Sequence, residues 1–189
     1  AQLDPKRRTL TRTRDELGEA ARTLVLSYAE AERPAMVQDI AKEFGAADFQ
    51  WTTKAEERTK LWQARHDAYY AGLALRPGSK GMATDVCVPL SRLAECIVET
   101  RKDIDQSGLI APIVGHVGDG NFHLVLLMDP DDTDEIARIK ALNERMIMRA
   151  IAMDGTCTGE HGVGSGKIDF LVAEHGEAVS VMRAMKMAL

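Results

Sequence analysis

Two short stretches carry residues whose types and spacing suit metal-assisted chemistry: Gly115-His116-Val117-Gly118-Asp119-Gly120-Asn121-Phe122-His123 and Gly159-Glu160-His161-Gly162. In the first, Asp119-Gly120 is a strong two-residue hairpin signal, because both turn positions need positive φ. A turn on those residues predicts that Gly118 pairs with Asn121, Val117 with Phe122, and His116 directly with His123. Directly opposed residues share a sheet face, with Cβ atoms about 4.5–5.5 Å apart. Two imidazoles at that separation can reach one metal ion about 2.0–2.1 Å from each nitrogen. The second stretch adds a carboxylate and a third imidazole. His116, His123 and Glu160, with an open coordination position, match a catalytic rather than a closed structural divalent site. Asp119 suits the turn better than a ligand position.

Glu160 and His161 are adjacent, so extended backbone would send their side chains apart, one toward a metal and the other toward a substrate bound to it. The surrounding Gly155, Gly159, Gly162, Gly164 and Gly166 fit a solvated loop. That many glycines cost chain entropy, however, and favour close approach to a ligand. Arg65 and Lys80 flank the Pro77-Gly78 break. Arg65 lies on the apolar side of its predicted helix, where a charge needs a partner. A substrate carboxylate would suit the guanidinium bidentately; an internal salt bridge or a snorkelling side chain is the alternative. His66 and His175 have no supporting constellation.

These residues must be positioned by the elements around them. Leu10 to about Glu32 has the apolar spacing of a helix. Pro34 suits the first turn of a second helix, which Gly45 ends. Asp48 to Trp51 reads as a short strand, and Lys54 to Leu75 as one helix broken by Arg76-Pro77-Gly78-Ser79. Met82 to Val88 is a predicted strand, and Ser91 an N-cap for a helix to about Gln106. Ile110–Val117 and Asn121–Met128 form the hairpin. A helix follows from Thr133 to Met153, then the glycine-rich loop, then a last helix over most of 167–189. This order indicates an α+β domain, with helices on one face of a mostly antiparallel sheet.

Composition narrows the function classes. The chain has 189 residues, 45% of them hydrophobic, and a net charge of −5, which suits a domain able to bury its own core. A modestly acidic balance gives no reason to expect nucleic acid as a partner. Three widely spaced cysteines without a Cys-x-x-Cys argue for a reducing compartment and against a thiolate zinc site. No apolar run has transmembrane length, and the start shows no signal-peptide pattern.

Several motifs in one order resemble a known family. They are Trp62-Gln63-Ala64-Arg65-His66, Arg76-Pro77-Gly78-Ser79-Lys80, Thr84-Asp85-Val86-Cys87-Val88-Pro89, the Gly115–His123 run and Thr156-Cys157-Thr158-Gly159-Glu160-His161-Gly162. Residues 36–189 resemble the C-terminal half of FAD-linked 2-hydroxy acid dehydrogenases, nearest the D-lactate dehydrogenase (cytochrome) type of the vanillyl-alcohol oxidase flavoprotein superfamily. Residues 1–35, a helical lead-in, carry no part of the resemblance. It implies a ferredoxin-like α+β substrate domain with additional helices that help cover the flavin.

The resemblance also implies that His116, His123 and Glu160 hold zinc or manganese, that His161 is the base for the substrate hydroxyl, and that Arg65 and Lys80 clamp the carboxylate. FAD would be held mainly by an N-terminal domain outside this chain, which alone would then be inactive. Val125 and Tyr69 stand where the 2-hydroxyglutarate branch has Asn and Thr, which favours a monocarboxylate such as D-lactate over D-2-hydroxyglutarate; glycolate is a further alternative. The implied electron acceptor is a cytochrome, a quinone or an electron-transfer flavoprotein. A homo-oligomer is left open. The implied location is mitochondrial in a eukaryote, and cytoplasmic or peripheral to the inner membrane in a bacterium. From the residues alone, a metal-dependent hydrolase and a non-catalytic metal-binding module remain rivals.

Overall fold

Apolar residues recur every three or four positions along 133–152, and this stripe organises the domain. The computed structural model describes residues 34–43, 45, 52 and 54–189. Two compact units divide the chain, residues 1–68 and 69–189. In the first, α1 spans Pro34–Glu43 and α2 spans Ala55–His66. The helix expected before Glu32 and the strand expected at Asp48–Trp51 lie outside the described residues. The helix expected over 54–75 is instead two, α2 and then α3 (Ala68–Ala74).

The second unit runs β1 (Lys80–Ala83), β2 (Val86–Cys87), α4 (Leu90–Ser107), β3 (Ile113–His116), β4 (Asn121–Met128), α5 (Thr133–Ala152), α6 (Ile168–His175) and α7 (Ala178–Ala188). All strand pairing is antiparallel and centres on β4. β1 and β2 keep one register on it, Ala83 opposite Val125 and Val86 opposite Phe122. They are therefore two halves of one strand interrupted at Thr84-Asp85. Beyond them, Cys87 bridges Thr156 antiparallel, the remnant of a further strand after α5. The order is then βαββαβ, the ferredoxin-like arrangement.

The core lies between this sheet and α4 and α5. Val86, Phe122, Leu124 and Leu126 meet Leu93, Cys96 and Ile104 of α4 and Ile139, Leu142, Met146, Ile147 and Ala150 of α5. At residues 121–127 β4 is buried on both faces. On the second face α3 covers one end, where Tyr69 Oη donates to the Gly81 carbonyl at 3.1 Å. Gly72 there packs over Val125 and Pro112.

Helix termini follow local chemistry. Asp132 caps α5 by accepting from the Glu135 N–H at 2.8 Å. Ser91, expected as a cap, falls inside α4, which begins after Pro89 and ends at the left-handed Gly108. The last predicted helix is broken at Gly176, whose φ is +55°. Among the described residues no helix is long and apolar enough to cross a membrane.

Candidate metal and catalytic site

The hairpin register differs from the expectation. His116 pairs with Asn121 and Val114 with His123. The connection is a 3-10 turn over Val117–Asp119 followed by Gly120 at φ +75°, in place of a two-residue turn. The two histidines are therefore diagonal neighbours instead of directly opposed. The slip changes the pairing by an even number of residues, so both still share one face. Their ring centroids lie 5.6 Å apart.

Glu160 reaches both. Its Oε1 lies 3.1 Å from His116 Nε2 and 3.2 Å from His123 Nε2. One ligand atom from each of the three residues fits within 4.8 Å of the others. Two imidazole nitrogens and a carboxylate oxygen are a donor set suited to zinc or manganese, with the solvent side left for a further ligand. His123 is buried, while Glu160 and His161 are about half exposed. The site thus has a fixed floor and an open mouth.

His123 is oriented by its other nitrogen. Nδ1 lies 2.8 Å from the Thr84 carbonyl, which can only accept, so Nδ1 carries a hydrogen and Nε2, on the Glu160 side, is the nitrogen placed to meet a metal. That carbonyl is available because of a substitution in the ladder. The Leu124 N–H, which regular pairing would give to the Thr84 carbonyl, donates to Thr84 Oγ1 at 2.8 Å. The Thr84 N–H still reaches the Leu124 carbonyl at 3.0 Å.

Asp85 organises the loop that carries Glu160 and His161. Its continued register places it opposite His123 on the site face, and it is 1% exposed. Oδ2 accepts from Thr158 Oγ1 (2.7 Å) and from the N–H groups of Gly159 (2.8 Å), Glu160 (3.0 Å) and His161 (2.9 Å). Oδ1 accepts from Asn121 Nδ2 at 2.7 Å. Burial opposes its charge, but hydrogen bonds from His161, Thr158, Asn121 and Glu160 outweigh it and hold the carboxyl far below the usual range. Lys167 Nζ donates to the Asp85 and Cys157 carbonyls, each at 2.7 Å.

This wrapping corrects two expectations. Three consecutive N–H groups turned toward one oxygen curl the backbone, so Glu160 and His161 do not diverge. The His161 ring stacks on His123 with centroids 4.9 Å apart and planes at 11°, its Nε2 3.6 Å from Glu160 Oε1. At Gly155 and Gly159 the close approach anticipated from the glycines is made by the protein itself, while Gly162, Gly164 and Gly166 face open space. A Cβ at Gly159 would collide with the Asn121 amide and crowd Asp85. Sequence reasoning missed Asp85, Thr84 and Asn121 as site builders. An aspartate inside a strand run was the available signal, since strands are depleted in it.

Lys80 stands elsewhere. It opens β1 opposite Met128, five residues along β4 from His123, or about 17 Å at ~3.4 Å per residue. Its register also puts it on the face packed by α4 and α5, whereas His123 lies on the other. The Arg65 side chain lies outside the described residues.

Residues 16–189 match the family described as FAD linked oxidases, C-terminal domain, a match that begins ahead of residue 36. The chain is 51% identical over 164 residues to a probable mitochondrial D-lactate dehydrogenase of Danio rerio, covering 86% of this chain and 33% of that protein. It is 43% identical over 159 residues to a mitochondrial D-lactate dehydrogenase (cytochrome) of Arabidopsis thaliana, covering 84% and 28%. To a glycolate oxidase subunit GlcD of Bacillus subtilis it is 31% identical over 153 residues, covering 80% and 32%. The chain spans about a third of the length of these relatives. It belongs to the family of FAD-linked oxidase C-terminal domains.

Proposed function

We propose that this chain is the substrate- and metal-binding part of a flavin-dependent dehydrogenase that oxidises D-lactate, or a similar D-2-hydroxy monocarboxylate, to the 2-oxo acid. The observation that carries the reading is the convergence of His116, His123 and Glu160 within 4.8 Å, with His161 stacked beside them. The identity to D-lactate dehydrogenases of two organisms supports the substrate class.

A divalent ion held by His116, His123 and Glu160 would supply a Lewis acid beside the substrate hydroxyl. Bound FAD would supply the acceptor for the two electrons that leave with the α-hydrogen. The chain's own residues supply position and proton transfer. His161 takes the hydroxyl proton at a ring nitrogen, and its stacking on the buried His123 fixes where that nitrogen stands. Arg65 binds the substrate carboxylate. The position of Lys80 lends no support to its sharing that task.

Tyr69 and Val125 bear on the choice of acid. The Tyr69 hydroxyl is tied to the Gly81 carbonyl, and Val125 is 2% exposed beneath α3. Neither offers a second carboxylate a donor. By analogy with the relatives, the acceptor is a cytochrome and the location mitochondrial in a eukaryote. The test is the purified full-length protein. It should carry a flavin spectrum, oxidise D-lactate in preference to D-2-hydroxyglutarate, and lose activity on chelation and regain it with Zn²⁺ or Mn²⁺. A colourless protein that hydrolyses its substrates would sink the reading.

A further inference from the structure

We infer that Thr84-Asp85, the interruption between β1 and β2, is a positioning device for the metal ligands; this rests on the metal reading above. Thr84 acts through His123, and Asp85, which also stands 3.6 Å from His123 Nδ1, acts chiefly through the loop bearing Glu160 and His161. Neither side chain belongs to the ligand set itself.

The argument begins with the strand. Continued through residues 84 and 85, the shared register would give an ordinary ladder. Instead Thr84 answers the Leu124 N–H with its hydroxyl and hands its carbonyl to His123 Nδ1. A side chain without a hydroxyl would leave a buried N–H with that carbonyl as its natural acceptor, in competition with the histidine. Valine fits the volume but lacks the oxygen; serine keeps it.

Asp85 does the matching task for the loop. Four donors from residues 158–161 meet on one oxygen, so Glu160 and His161 are held from their own backbone. An asparagine in this place could present at most one acceptor oxygen, and its amide hydrogens would face either those donors or the Asn121 amide. Asn121 in turn is held to both Asp85 and the Val86 carbonyl (2.9 Å). One two-residue segment thus sets two of the three ligands and the adjacent base.

The test uses the full-length protein and Mn²⁺ as probe, with binding read by electron paramagnetic resonance and folding by thermal melts. Asp85→Asn and Thr84→Val are expected to weaken Mn²⁺ binding about 10–100-fold, the usual effect of removing an outer-shell partner, while Thr84→Ser stays within about threefold of the parent. Folded Asp85→Asn and Thr84→Val proteins that bind within about twofold of the parent would overturn the inference. If Asp85→Asn does not fold, the Val and Ser variants at position 84 decide by the same criterion. A parent protein that binds no Mn²⁺ sinks the metal reading alone. Hydrogen exchange then decides: faster exchange over residues 158–163 in Asp85→Asn supports the positioning role, and unchanged exchange refutes it.

Discussion

His123 is held by the Thr84 carbonyl and, at 3.6 Å, the Asp85 carboxylate on its Nδ1 side, by the Glu160 carboxylate on Nε2 and by a stacked ring on its face. His161 shares the stacking, stands 3.6 Å from the same Glu160 carboxylate and is about half exposed, which would suit the proposed proton acceptor. On the proposed function, His161→Ala in the full-length protein is expected to lower kcat by about 10²–10⁴-fold with little change in KM, since general base catalysis acts as the reaction proceeds. Arg65→Ala should instead raise KM. A charge-assisted contact to a desolvated carboxylate is plausibly worth about 2–5 kcal/mol, and binding is shared by ground and transition states. Steady-state kinetics with D-lactate, with a deuterium isotope effect at C2, separate the two. A His161→Ala enzyme within a few-fold of the parent kcat would move the base elsewhere.

At the scale of elements, α4 and α5 are joined by charge at their exposed edge and by packing beneath. Arg145 Nη2 reaches Asp103 Oδ1 at 2.7 Å and Arg149 Nη2 reaches Oδ2 at 3.0 Å. The Arg145 hydrogen bond holds the Asp103 carboxyl below its ordinary value, with Arg149 adding to it. Glu135 is likewise lowered, by the Asp129 N–H and then by Arg76. Both carboxyls bind protons more readily in the unfolded chain. The stability they contribute is present above the unfolded values near 3.8 and 4.5 and is lost as pH falls through the folded ones. The melting temperature should therefore hold steady down to about pH 5 and then fall toward pH 3. Asp103→Asn should lower the neutral-pH value and flatten the acid limb. Beneath these pairs Leu142 is fully buried. Leu142→Ala should cost about 2–5 kcal/mol, read by denaturant unfolding.

For the molecule as a whole, chemistry is gathered at one end of the second face of the sheet, and the core fills the first. That division would let the candidate metal site change without disturbing the helices. Removing the ligands by His116→Ala or His123→Ala should abolish Mn²⁺ binding yet leave the melting temperature of the metal-free protein within a few degrees, the effect of about 1 kcal/mol. His123→Ala should show the larger loss, because it also strands the Thr84 carbonyl. A fall of tens of degrees would mean that the histidines support the fold and not only a ligand.

The convergence of His116, His123 and Glu160 was legible in the sequence because hairpin histidines, a nearby carboxylate and glycine punctuation are local signals. The α+β order was legible because apolar periods of two and of three to four residues survive in the chain. The break of the last helix at Gly176 and that of the helix before Lys80 were not, since neither interrupts the apolar pattern strongly. The hairpin register was misplaced by two because Val117–Asp119 forms a helical turn, yet face-sharing survived because strand side chains alternate with period two. Tertiary structure alone decided the rest. Asp85 sits 75 positions before Glu160, and their hydrogen bond exists only once β1–β2 lies against β4 and the loop folds over it. Lys80 stands five residues along β4 from His123 for the same reason: motif order runs along the chain, but a strand's register on its partner decides which face and which end a side chain occupies.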